Sequence, residues 1–346
     1  MKKIMILAAA AALVFASCAK TEITSENSEA KRAIGFGAYA GRTITKASTD
    51  SYLKKGESTF SATNQHIGVY AYMGTATSAT FMNNVDVTLK TNGADPSDQY
   101  TPLKYWPKEE ISDNAISFIG YYPYNATGID VTNFGSSKYG SFGFTVQDAV
   151  ADQVDLLLAD AVENQYYSTN AGVVPFNFHH ALTRVLFQMK TDIDYDSKGT
   201  TITVNSLNVT NLKNAGTFDI QSTYAAGSWG SQSGDKTYTI PVPASILTTT
   251  AAPADEAANV FLLMPQTIGD DAMLNITYTI KDKATNVETV NTKSVKLNTI
   301  AAASGAISSW DKNQNVIYTI TIGLNPILFT ATVSDWLAPT EGAWTI

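Results

Sequence analysis

The sequence contains very little cysteine, histidine or charge. Its 346 residues include one cysteine, Cys18, and three histidines. A disulfide within the chain is therefore excluded, and the fold depends on buried apolar cores, which a chain of this length can build. Charged residues make up 16% of the chain, the net charge is −8 at pH 7, and no block of basic residues occurs. This composition argues against nucleic acid as a partner.

Aromatic and β-branched residues are abundant, with 17 tyrosines and 14 phenylalanines, as is typical of strands. Apolar residues alternate with polar ones in several segments, including 67–73, 185–190, 274–281 and 316–322. This period of two predicts sheets with one solvated face. Helical periodicity favours short helices only at 152–162 and 300–310. The sequence therefore predicts an all-β fold of antiparallel β-sandwiches.

The beginning of the chain predicts a secretory signal. Lys2 and Lys3 precede an apolar run at 4–15, which is shorter than the roughly 20 residues of a membrane span. Cys18 follows at the position where a bacterial lipoprotein signal has its lipidated residue. We therefore expect removal of residues 1–17 and lipidation of Cys18. The alternative is an ordinary signal peptide that happens to contain a cysteine.

The rest of the chain is long enough for two domains. Residues 18–31 are polar without apolar periodicity, which predicts a flexible tether. The polar stretch at 191–201 is the expected boundary. It gives an N-terminal β-sandwich domain at 32–190 and a C-terminal β-sandwich domain at 191–346, both of ordinary size.

The first strand after the tether is predicted from a short alternation. Ile34, Phe36 and Ala38 are separated by glycines, which weaken a strand. The stretch at 41–48 that follows is basic and rich in small residues. We expect this stretch to be exposed and accessible to a trypsin-like protease.

Candidates for metal binding are weak. His179 and His180 are adjacent, so in a strand they point to opposite faces, and no third ligand follows from the spacing. Residues 192–196 resemble the opening of a calcium loop, but Ser197 and Thr203 stand where its glycine and glutamate are expected. We predict no metal and no cofactor.

Candidates for catalysis or sugar binding leave alternatives open. Adjacent carboxylates at 109–110, 255–256 and 270–271 could form an acid/base pair only if folding placed two of them across a cleft, and solvated turns are favoured. The five tryptophans could form a sugar-stacking platform, although packing in a core or at its rim is favoured. We predict that the protein is not an enzyme.

The order of short segments resembles the fimbrillin family of Bacteroidales-type bacteria, in particular the group named after the minor fimbrial subunit. The matching segments are the signal ending at Cys18, the strand IGFGAY at 34–39, RTITKA at 42–47, IGVYAY at 67–72, YWP at 105–107, ISFIGYYP at 116–123, DLLLA at 155–159, FHHALTRV at 178–185, YTITI at 318–322 and VSDW at 333–336. The resemblance implies two transthyretin-like β-sandwich domains in tandem. It also implies export as a lipoprotein to the outer membrane and cell surface, and pili assembled by donor-strand exchange.

The resemblance further implies that an Arg- or Lys-specific protease removes the first strand and that a strand of another subunit fills the groove. On this hypothesis the residues with roles are Ile34, Phe36 and Ala38 in the displaced strand, Arg42 at the cleavage site with Arg32 and Lys46 as alternatives, and Phe329, Ala331 and Val333 in a donor strand within 327–346. The partners would be other copies or related pilus subunits, the protease, and the outer membrane through Cys18. The alternative function is a surface lipoprotein that never polymerises and binds glycans or other ligands.

Overall fold

The structure, a computed structural model, describes residues 32–40, 65–89, 95–169, 171–253, 259–302, 305–324 and 327–336. The strands in these ranges are β1 (Gly35–Ala40), β2 (Gln65–Met73), β3 (Met82–Leu89), β4 (Ile116–Tyr122), β5 (Ile129–Asp130), β6 (Ser141–Thr145), β7 (Leu157–Ala159), β8 (Val162–Gln165), β9 (Val173–His180), β10 (Thr183–Thr191), β11 (Thr200–Leu212), β12 (Ala215–Asp219), β13 (Ser228–Ser233), β14 (Lys236–Thr239), β15 (Phe261–Leu263), β16 (Gln266–Thr267), β17 (Met273–Asp282), β18 (Glu288–Lys296), β19 (Ala301–Ala302), β20 (Gly305–Ala306), β21 (Ser309–Trp310), β22 (Gln314–Ile322) and β23 (Leu328–Asp335). The helices in these ranges are short 3₁₀ turns at Pro96–Asp98, Ser112–Asn114, Val150–Asp152, Asp196–Lys198 and Leu297–Thr299. None of them has the length and apolar character needed to cross a bilayer.

The all-β prediction is confirmed, but both predicted helices are wrong. Residues 152–162 contain β7 and the start of β8, and residues 300–310 contain β19, β20 and β21. Periodicity cannot distinguish a short apolar run in a buried strand from one in a helix. Leu156, Leu157 and Leu158 are all buried, because β7 lies between β4 and β9 inside a sheet.

The first sheet has the strand order β1-β9-β7-β4-β2-β3, with β8 also pairing with β4. Its central strands are buried on both faces. In β2, Ile67 and Val69 pack into one core, whereas Tyr70 and Tyr72 pack into another. A strand covered on both sides is apolar almost throughout, and this explains why β2 and β4 have few polar residues.

Four other sheets complete the fold. Their strand orders are β15-β10-β22-β23-β19-β20, β14-β11-β17-β18, β13-β12-β6-β5 and β16-β21. β10 ends at Thr191, on the predicted boundary, and belongs to the six-stranded sheet, while the β13-β12-β6-β5 sheet takes two strands from each side of that boundary. The division of the chain into domains at 190 and 191 remains a prediction.

The pairing directions differ from the expected antiparallel pattern at three places in the described sheets. β1 pairs parallel with β9, β10 with β22, and β19 with β23. Alternation of apolar residues reports which face of a strand is buried and carries no information about the direction of its neighbour. The parallel pairs are therefore a finding of the structure alone.

Two hydrophobic cores hold the sheets together. The larger core contains residues of β10, β11, β17 and β22 and of one face of β2 and β4. The smaller core is formed on the other face of the first sheet. It includes Ile34, Phe36, Val69, Phe118 and Phe176. Ile34, just before β1, and Phe36 of β1 belong to the smaller core.

Candidate functional site

The predicted N-terminal strand forms as β1, one residue later than expected, and lies at the edge of its sheet. Its neighbour along the sheet is β9, and the parallel register runs from Gly35 beside Val173 to Ala40 beside Phe178. Ala38, the third residue assigned to the displaced strand, is in this register beside Phe176. An edge strand with one strand neighbour can leave without breaking the pairing between other strands.

In the described part of the chain, no strand is hydrogen-bonded to the opposite side of β1, which is covered by a non-strand segment at 99–106. The Gln99 side chain accepts a hydrogen bond from Phe36 N at 2.9 Å and donates one to Phe36 O at 2.8 Å. Ile34 N donates to Lys104 O at 2.9 Å, and the Tyr100 hydroxyl donates to Ile34 O at 2.9 Å. The backbone groups on this side of Ile34 and Phe36 are thus all paired.

The side chains of Ile34, just before β1, and of Phe36 in β1 lie in an apolar groove. The Phe36 ring contacts Tyr100, Phe118 and Phe176 with ring-centre separations of 5.5, 5.9 and 6.0 Å, and Ile34 is fully buried. We call this surface the β1 groove; it is formed by β9, by Phe118 of β4 and by residues 99–106. Aromatic side chains carry large buried areas, so Phe36 makes a large apolar contact with the groove.

Gly35, one of the two glycines in β1, is not required by the space around it. A Cβ added at Gly35 would meet Pro96, Val173 and Gln99 at 3.5–3.7 Å, which is ordinary contact. Glycine in a strand costs conformational entropy and contributes no packing. A residue with a small side chain would therefore be accepted at the place of Gly35.

The predicted cleavage residues lie in different settings. Arg42 and Lys46 are outside the described residues, as is Cys18. Arg32 is partly buried; its guanidinium donates to Pro107 O and lies 5.0 Å from the centre of the Tyr167 ring. A protease that cuts after Arg32 would have to bind this side chain, which is already engaged in contacts within the protein.

The predicted donor strand forms as β23 and is docked on β22. Ala331 is buried, and Phe329 and Val333 are half-buried against the larger core, whereas the intervening residues are exposed. The alternation expected from the sequence is therefore present in this strand. Next to its end, the ring of Trp336 stacks on buried His180 at 3.6 Å, and Trp336 N donates to Asn313 O.

The two adjacent histidines do not come together. His179 Nε2 lies 2.9 Å from Asp160 Oδ2, and His180 Nδ1 lies 2.9 Å from Asp155 Oδ1. No group of three or more potential metal-ligating side chains occurs among the described residues. Each histidine also stacks on an aromatic ring. The contacts of both histidine–aspartate pairs are therefore those of side chains packed within the fold.

The tryptophans in the described ranges do not form an exposed platform. Trp106, Trp310 and Trp336 are buried and Trp229 is half-buried. Trp106 packs against Phe118 of the β1 groove and donates from Nε1 to Gly172 O. Sequence reasoning missed Gln99, Tyr100 and Trp106 as groove residues, since no local pattern distinguishes a glutamine that bonds a strand 63 residues away.

Comparison with known proteins points to one family. A family described as fimbrillin-like matches residues 45–336. Among curated proteins, the fimbrium subunit Fim1C of Phocaeicola vulgatus is 29% identical over 206 residues, which cover 53% of this chain and 50% of that protein. The chain thus spans about half the length of the curated relative it matches.

Solved structures show the same fold. A fimbrial protein from Bacteroides vulgatus has a TM-score of 0.61 at 20% identity, covering 88% of this chain and 99% of that one. A proposed cell adhesion protein from Bacteroides uniformis has a TM-score of 0.52 at 17% identity, covering 88% of this chain and 98% of that one. At these identities the likeness concerns the fold alone.

Proposed function

The chain belongs to the fimbrillin-like family, and on that premise we propose that it is a structural subunit of a cell-surface pilus that mediates adhesion. It is exported as a lipoprotein through Cys18, trimmed by an Arg- or Lys-specific protease and polymerised by donor-strand exchange. Its partners are other copies or related pilus subunits and, before trimming, the outer membrane. The family and the fold support a non-enzymatic role.

The observation that carries this proposal is the place of β1. It pairs with one strand, β9, and the Phe36 side chain belongs to the smaller core. Its removal opens a groove with unpaired backbone groups on β9 and an apolar floor. Such an edge is a template for an extended segment of another chain.

Release of β1 requires a cut on its C-terminal side. A cut after Arg32 would leave β1 attached to the rest of the chain, because β1 begins at Gly35. Arg42 and Lys46 follow β1 in the sequence, so a cut at either residue separates β1 from β2. We place the cleavage at Arg42, with Lys46 as the alternative.

β23 is the proposed source of the incoming strand. It has the same period of two as β1, and only one of its residues, Ala331, is fully buried where it is now docked. Phe329 offers an aromatic side chain for the place that Phe36 occupies. The groove and β23 belong to different sheets, so the contact between subunits is head-to-tail and continues as a filament.

The test is replacement of the cleavage residue in cells that assemble the pilus. Arg42→Ala should stay full length and monomeric, whereas Arg32→Ala, the matched control before β1, should be trimmed and should assemble. Sequencing the N-terminus of the assembled protein should give residue 43. If Arg42→Ala assembles with a start at residue 47, Lys46 is the site.

The same measurement separates the second function from the first. A surface lipoprotein that never polymerises would keep a blocked, lipidated Cys18 and an intact β1. Finding only that form on cells, with no polymer, would refute the pilus proposal.

A further inference from the structure

The covered side of β1 is paired in an unusual way. Two alternate residues, Ile34 and Phe36, have their outward backbone groups bonded by the non-strand segment at 99–104. Three of these bonds come from side chains, two from the Gln99 amide and one from the Tyr100 hydroxyl. This segment therefore takes the place of a neighbouring strand.

Gln99 is fixed between the two edges of its sheet. Its backbone carbonyl accepts from Thr88 N of β3 at 2.8 Å, while its side chain bonds Phe36 of β1. The side chain is 5% exposed. A buried amide group that lacks hydrogen-bond partners costs free energy. Once β1 has left, a new strand at the same place would again pair both the oxygen and the nitrogen of the Gln99 amide.

We propose, on the basis of the proposed strand exchange, that Gln99 and Tyr100 form a clamp whose amide and hydroxyl groups bind the backbone of the incoming strand and make no selection among its side chains. The groove then selects side chains only through the apolar pockets of Ile34 and Phe36. The partner segment is an extended strand with a large apolar residue at the Phe36 place. Both clamped positions must carry residues with a free N–H, which excludes proline at the place of Ile34 or Phe36.

The amide also restricts the direction of the incoming strand. In a strand, the N–H and C=O of one residue point to the same side, so a single side chain can bond both. In a strand of L-residues that runs opposite to β1, the residue whose N–H and C=O face Gln99 has its side chain on the other face of the sheet, away from the Phe36 pocket. The clamp and the pocket therefore act on the same residue only when the incoming strand runs in the direction of β1.

The chemistry of Tyr100 suits this role. Burial raises the pKa of Tyr100 to about 12, so the hydroxyl keeps its proton at neutral pH and donates to the carbonyl of Ile34. The hydroxyl also accepts from Lys104 N at 3.2 Å. The Tyr100 hydroxyl is therefore held in position by Lys104, which remains when β1 leaves.

The test uses the full chain with the recognition site of a specific protease in place of residues 43–49. After cleavage, a labelled peptide with the sequence of residues 33–40 is added, and its uptake is measured by fluorescence anisotropy. Methylating the peptide nitrogen at Phe36 removes the proton that Gln99 accepts. We expect this change to weaken binding by about 10- to 100-fold, as for loss of a buried hydrogen bond and its partner.

The control variants decide where that penalty comes from. In Gln99→Leu, or in Gln99→Met if the first does not fold, the penalty should fall below about threefold, as in a double-mutant cycle between contacting groups. Gln266 makes the same pair of bonds to Lys213 N and O away from the β1 groove. Gln266→Leu should keep the full penalty.

A second peptide tests the opposite side of the strand. Gly35 N donates to Gly172 O, so methylation at Gly35 should weaken binding equally whatever residue stands at 99. An undiminished Phe36 penalty in the Gln99 variants would overturn the clamp alone. Failure of the unmodified peptide to enter the cleaved wild-type chain would instead overturn strand exchange, and the clamp with it.

Discussion

Truncating Phe36 tests whether β1 is a separable part of the fold. Phe36→Ala removes a ring that is 3% exposed and touches Tyr100, Phe118 and Phe176. Phenylalanine-to-alanine changes in a core cost about 3–5 kcal/mol. A change of 1.4 kcal/mol alters an equilibrium constant by a factor of ten. The equilibrium constant for the opening of β1 should therefore rise by about two to three and a half powers of ten.

The assay is amide hydrogen exchange. The amide of Phe36 is bonded to Gln99 and that of Gly35 to Gly172, so both report opening of β1. In Phe36→Ala these amides should exchange faster by that factor, while amides in β11 should change little, because Phe36 belongs to the smaller core and β11 contributes to the larger one. Local opening of this kind is ordinary for edge elements.

Phe142→Ala is the matched control. Phe142 is 1% exposed and belongs to the larger core, where it stacks on Phe134 and Phe218. Its truncation should lower the free energy of unfolding of the whole protein by a similar amount. If Phe36→Ala instead accelerated exchange in β1 and β11 equally, β1 would be an integral part of the fold, and its removal by a protease would unfold the protein.

Three further predictions concern stability. Gly35→Ala should raise the stability of β1 by about 0.4–1 kcal/mol, because a Cβ fits there, and should slow exchange of the β1 amides; faster exchange would show that the glycine is needed. Burial raises the pKa of Asp160, but its hydrogen bonds, that with His179 first, hold it below the ordinary value of 3.8. The stabilisation by the Asp160 carboxylate is therefore present above pH 3.8 and is lost as the pH falls through the folded pKa. The free energies of unfolding of Asp160→Asn and wild type, measured in urea, should differ at pH 7 and converge near pH 2. A difference that stays constant with pH would contradict this. Trp336→Ala removes the stack on His180 and should lower the free energy of unfolding by about 3–5 kcal/mol in the same assay; a loss below about 1 kcal/mol would show that the end of β23 is not anchored there.

The sequence predicted the faces of strands better than their neighbours. The alternation of Ile34, Phe36 and Ala38 located β1 within one residue, and the burial of Phe329, Ala331 and Val333 follows their alternation. The parallel partner of β1 and the clamp at Gln99 depend on contacts between residues more than 60 positions apart. Such contacts are set by packing of the whole sheet, and a single sequence carries no local sign of them.

The helices expected at 152–162 and 300–310 failed for a related reason. Both segments are short, and both pair with strands that are distant in the sequence. Local propensity is a weak guide where tertiary pairing decides the structure. Proteolysis at Arg42, lipidation at Cys18 and the domain boundary stay predictions, and the first two fall outside the described residues.

The edge strands β1 and β18 differ in character, and the difference favours assembly through β1. β18 is also an edge strand, and it is largely exposed on both faces. Lys293 and Lys296 lie on it, and Glu288 pairs with Lys281 of the neighbouring strand. Charged side chains, lysine above all, discourage the pairing of an open edge with another chain.

The edge left by β1 has the opposite character. Its floor is made of Phe118 and Phe176, which are fully buried while β1 is present, and Gln99 offers a donor and an acceptor to an incoming backbone. An added strand at β18 would gain backbone bonds alone, whereas one at the β1 groove would also bury aromatic surface, at about 25 cal/mol for each Å² removed from water. Because the second gain exists only after cleavage, trimming would control when a subunit can accept its neighbour.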